Sequence, residues 1–236
     1  MQQHNLETGT FKKHKPQFEN CIMIIYTYDG TFEGFLTCIF ETYNRKNFPV
    51  DICSRTGEQK HLFAQKFDVQ SDAAKVDRVW KGIQNKLSGR NNQLVFYAFL
   101  SEENGIEMKI YRFLRRLFSE HFNIETDFGD ADVLYLTQTS QKVKKEAMRM
   151  LQFVRFQHTK EGLWFCGIEP RYDVLPLVST HFQKRFADQK WLLYDLKRNY
   201  GFLFDKVKFD PVNKEHRIRN TESESYKNRL SDSFFY

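Results

Sequence analysis

Four polar residues stand inside apolar patterning between residues 170 and 205: His181, Arg185, Asp195 and Arg198. On a helix over residues 174–186, His181 and Arg185 are one turn apart, as are Phe182 and Phe186 beside them. In the strand pattern that follows, Trp191, Leu193 and Asp195 face one way and Leu192, Tyr194 and Leu196 the other, so both faces are apolar and the strand reads as an interior one. A carboxylate entering such a layer needs a partner. Two chemistries fit. Asp195 or His181 is a candidate acid–base group with the arginines holding phosphate; equally, Asp195 and Arg198 form an ion pair that fixes the strand end, and His181 satisfies a backbone carbonyl.

A second constellation lies upstream. Lys142, Lys144, Lys145 and Arg149 lead into Phe153, Arg155 and Phe156. Cations interleaved with aromatics hold single-stranded or flipped bases, whereas on a globular surface the same residues form a core edge and its rim. With Lys184, Arg185 and Arg198 they form the candidate nucleic-acid-binding set. The formal net charge of +6 is concentrated here, since residues 142–198 carry twelve Lys and Arg against six Asp and Glu. A one-sided basic block is what a polyanion binder presents, and DNA is the partner it points to; a block of this kind also serves solubility alone.

Other patterns carry less. Asp29-Gly30-Thr31 before a helix reads as a turn and cap, or as an anion site on the free N–H groups. Arg112, Arg115 and Arg116 share a helical stripe that suits phosphate or solvent alike. Cys21, Cys38, Cys53 and Cys166 form no C-x-x-C pair, and no P-loop, dinucleotide fingerprint, nucleophile elbow or H-E-x-x-H occurs, so the residues call for no metal and no cofactor. No apolar run of about 18 residues exists to span a bilayer, which predicts no membrane association and a cytoplasmic setting.

The elements that must position these residues read as an α+β protein. Residues 1–21 are a polar extension and 22–210 a single domain, with a polar tail from 211 to 236. The domain opens with a β-turn-α unit: a strand over 22–28, then a helix capped by Thr31 and carrying Phe32, Phe35, Leu36, Ile39, Phe40 and Tyr43 at helical spacing. Short strands over 50–53 and 63–69 follow, then a helix capped by Ser71. Four helical segments over 93–100, 106–122, 133–139 and 141–151 predict a central array between about 90 and 150. A hairpin over 153–158 and 163–168, a helix, a strand over 190–196 and another over 202–209 give the order β-β-α-β-β. That order predicts an antiparallel sheet with a helix across one face, closed at Pro211.

Three segments taken together, IYTYDGTFEGFLTCIFETY (25–43), MLQFVRF (150–156) and the run from Gly162 to Asp205, resemble the bacterial family of unknown function labelled "probable DNA metabolism protein". The resemblance covers residues 22–209 and is most specific over 181–201. It implies a DNA repair or modification setting beside a radical SAM protein; some members are fused to a uracil-DNA-glycosylase-like domain. It supplies no catalytic residues. It further implies that residues 1–21 are an addition, and that a basic, aromatic stretch usually following a segment like 226–236 is missing, leaving Phe234, Phe235 and Tyr236 as an interrupted helix.

Overall fold

The computed structural model describes residues 23–55, 64–89, 91–120, 124–160 and 162–213. The expected extension over 1–21, Ile22 and Cys21, the tail beyond residue 213 with Phe234, Phe235 and Tyr236, and the outer ends of two predicted elements at Phe63 and Phe122 lie outside the described residues.

The chain is α+β with two sheets. In the first, β1 (Ile24–Tyr28) lies between β2 (Asp51–Ser54) and β3 (Gln65–Asp68), and both pairings are parallel. Parallel neighbours require crossovers, and α1 (Phe32–Asn44) is the one between β1 and β2. Its cap is Thr31, whose hydroxyl accepts from the Gly34 N–H at 3.0 Å. Asp29 fills the anion position itself, accepting from the Thr31 N–H and hydroxyl and from Ser71. Gly34 leaves room for that carboxylate, since a Cβ there would sit 2.4 Å from Asp29 Oδ1. Ser71 is thus engaged with Asp29, and the predicted cap of the next helix moves one residue on: Asp72 accepts from the N–H groups of Ala74 and Lys75 and starts α2 (Ala73–Lys86).

The central array consists of α3 (Leu94–Phe99), α4 (Ile106–Ser119) and α5 (Ala131–Phe153). Sequence reading divides α5 at Thr139-Ser140; the structure keeps it continuous, because both residues are buried and the Ser140 hydroxyl donates back to the Thr137 carbonyl. Phe32 links the sheet to the array. Its ring meets Trp80 and Phe96 edge-on, with Phe99 5.2 Å away, which puts much of the aromatic content of the chain in one core.

The second sheet runs β4 (Gln157–His158), β5 (Trp164–Ile168), β6 (Trp191–Asp195), β7 (Tyr200–Phe204) and β8 (Phe209–Asn213) in that spatial order. β6 is the middle strand, as its two-sided apolar pattern predicts. Three pairings are antiparallel, but β5 and β6 pair in parallel, with Trp164 opposite Trp191 and Ile168 opposite Asp195. The sheet is therefore mixed and not antiparallel throughout: α6 (Leu175–Arg185) is a crossover that carries the chain from the carboxyl end of β5 back to the end of the sheet where β5 began. Two boundaries also move. α5 persists to Phe153, so the first hairpin strand shrinks to β4. The strand expected over 202–209 splits at a turn where Asp205 accepts from the N–H groups of Val207 and Lys208, and Pro211 lies within the edge strand β8, where its missing N–H costs no ladder bond to a further strand.

Candidate nucleic-acid interface

The four residues singled out first divide between the two ends of the second sheet. Asp195 and Arg198 meet at the carboxyl end of β6. Asp195 is fully buried; its Oδ1 accepts from the N–H groups of Lys197 and Arg198 at 2.8 and 3.0 Å, and its Oδ2 from Arg198 Nη1 at 2.8 Å. Arg198 also reaches Glu102 through Nε and Nη2 and the carbonyls of Pro170 and Arg171, and its side chain is only 10 % exposed. The guanidinium is thereby consumed in joining the β6–β7 turn to the α3–α4 loop and to the segment ahead of α6. Of the eight cations in the predicted binding set, Arg198 is the one whose donors are directed inward.

His181 and Arg185 stand on α6, which leaves that junction and runs toward the opposite end of the sheet. The His181 ring lies edge-on to Phe182, and burial together with the Arg185 charge lowers its pKa below the ordinary histidine value.

At the carboxyl end of β1 and β2 a cleft of about 500 Å³ is lined by Tyr28, Asp51, Glu102, Glu103, Glu107 and Asp173 among others. Its carboxylates are largely engaged: Glu102 with Arg198, Glu103 with the Tyr135 hydroxyl, Glu107 with the Tyr28 hydroxyl and Asp173 with the Tyr200 hydroxyl. Desolvation pushes the Asp173 carboxyl up to about 6, against the pull of Tyr200 and Arg198. Among the described residues no group of His, Cys, Asp or Glu is arranged to hold a metal ion.

The opposite end of the second sheet has another character. Where α5 and α6 both finish beside the first residues of β5 and β6, a cavity of about 490 Å³ opens. Its walls are the rings of Phe156, Trp164, Phe182, Phe186 and Trp191. Phe182 and Phe186 are one helical turn apart with parallel rings, and Phe156 sets its edge against both at 5.4 and 5.5 Å. Arg155 and Arg185 stand at the rim, both exposed. Arg155 Nη1 donates to the carbonyls of Gln152 and Val154, which satisfies the frayed end of α5 and holds the guanidinium at the mouth.

A basic ridge leads to this cavity. Lys142, Lys145, Arg149 and Gln152 follow one another at steps of three, four and three residues, all exposed on one face of α5, and Gln152 is itself part of the cavity wall. Lys144 stands exposed beside them and Lys184 on the last turn of α6. The acid within this stretch, Glu146, is turned away to accept from the N–H groups of Arg171 and Tyr172. The earlier arginine stripe is spent differently: Arg112 pairs with Asp132, Arg116 with Glu120, Asp127 and Asp130, and Arg115 lies 4.2 Å over the Phe48 ring.

Sequence reading located the cations and aromatics of α5 but not the cavity, because that depends on α5 and α6 ending together. The one available signal is the pairing of Phe182 with Phe186 five residues before Trp191 in its strand pattern, matched by Phe156 after the basic helix. Gln152, Trp164, Gln189 and Trp191 went unassigned as site residues.

A two-sheet α+β protein with a cation-flanked aromatic cavity is the class that fold and site define. By sequence the chain belongs to a family described as a domain of unknown function, DUF4130, whose model matches residues 104–235 and so spans α4 through the second sheet. No curated protein and no solved structure matches it. Among the described residues no helix is long and apolar enough to cross a membrane.

Proposed function

We propose that this protein binds DNA through the α5 ridge and the rim of the aromatic cavity, as an accessory factor in DNA repair or modification. The observation that carries the reading is the line Lys142, Lys145, Arg149, exposed and, among the described residues, unopposed by a facing carboxylate, ending at Arg155 and Arg185. Cations spaced along one helix face neutralise successive phosphates, and the affinity comes from released counterions. The resemblance described above supplies the setting and a radical SAM protein as the working partner. Met148 and Phe153, 50 % and 70 % exposed beside the ridge, offer apolar contact area to a partner protein or to bases. An acid–base role for Asp195 draws no support from its surroundings, since both carboxylate oxygens are bonded within the fold.

Fluorescence anisotropy with a labelled single-stranded oligonucleotide tests the reading. With about four phosphate contacts to a single strand, affinity falls roughly 50-fold between 50 and 200 mM salt. Arg149→Glu lowers affinity and flattens the salt dependence by about one contact without changing the melting temperature. Absence of salt-sensitive binding at micromolar protein removes the proposal.

A further inference from the structure

Building on the DNA-binding reading, we infer that the cavity between the ends of α5 and α6 receives one unstacked DNA base, while the ridge holds the flanking phosphates.

Two observations select that occupant. The first is the lining. Around a cavity of about 490 Å³ the half-buried rings of Phe156, Trp164 and Phe186 offer flat, apolar contact to a planar ring, backed by the buried Phe182 and Trp191, in a space within the range of small-ligand sites. The second is the sign of the rim. Aromatic cages also take organic cations, but Arg155 and Arg185 at the mouth repel one; the same guanidiniums attract the phosphates on either side of an extruded nucleotide. A purely apolar guest is also a poor match, because the amides of Gln152 and Gln189 line the cavity. Amide side chains with both donor and acceptor suit the edge of a base.

The DNA ridge and the base cavity are separable in one experiment. Three DNA hairpins of equal length are compared at 100 mM salt: fully paired, carrying a single bulged 2-aminopurine, and carrying an abasic bulge at the same place. Entry of the base predicts that the 2-aminopurine hairpin binds at least tenfold more tightly than the abasic one, with its fluorescence quenched by the surrounding rings. Phe186→Ala and Gln189→Ala, at positions that are only partly buried, reduce that preference while leaving binding of the paired hairpin intact. Equal affinity for the bulged and abasic hairpins, or unchanged 2-aminopurine fluorescence in the complex, overturns the cavity assignment and leaves the ridge standing. No salt-sensitive binding of any hairpin overturns both.

Discussion

Asp195 shows how one side chain fixes several loops. It is fully buried, and its partner Arg198 bonds two carboxylates and two carbonyls drawn from three separate segments. Removing one member of a buried pair leaves the other uncompensated, at a cost of about 3–5 kcal/mol. Asp195→Ala is therefore expected to lower the urea midpoint steeply, and any activity lost with it would follow from unfolding. Asp173 carries the opposite kind of contribution. Its folded pKa of about 6 lies above the ordinary carboxylate value, so the native state holds the proton more tightly than the unfolded chain. The associated stability is fully present below about pH 4 and disappears as pH rises through about 6. Asp173→Asn, which still accepts from Tyr200, should raise the melting temperature at pH 7.5, and the gain over wild type should vanish near pH 4. A gain independent of pH would show that the carboxyl does not titrate in this window.

At the scale of elements, the patterning that was legible is the patterning that local sequence controls. The β-turn-α opening, the helical array and the interior position of β6 follow from periodicity and from Thr31 as a cap. Strand direction does not. Nothing within Trp164–Ile168 or Trp191–Asp195 distinguishes a parallel from an antiparallel neighbour; the path of α6 decides it. The cations of α5 were equally legible, but that Arg149 faces solvent required three dimensions; for Arg198 the sequence left phosphate binding and an ion pair with Asp195 both open, and the ion pair is the one that forms. Gly201 illustrates a constraint visible only in the sheet. A Cβ at this position would lie 2.4 Å from the Leu193 carbonyl oxygen and 2.9 Å from the Tyr194 Cα, both backbone atoms of the adjacent strand. Gly201→Ala must part β6 from β7 and is expected to destabilise the fold by about 2 kcal/mol or more, read from urea unfolding.

For the whole molecule, the parallel pairing of β5 with β6 determines where charge collects. Because α6 recrosses the sheet, its carboxyl end and that of α5 lie together beside Trp191, and their arginines gather there; the carboxylate-lined cleft borders the Asp195 end. The two poles are separated by the length of β6, five residues or roughly 16 Å. That span exceeds the Debye length of about 8 Å at physiological ionic strength and is shorter than the value of about 30 Å in 10 mM salt. In dilute buffer a polyanion thus exerts a torque that turns the protein before contact, cations foremost, whereas at 150 mM salt each pole is felt only at close range. The association rate constant should accordingly carry a salt dependence of its own, distinct from that of the dissociation rate.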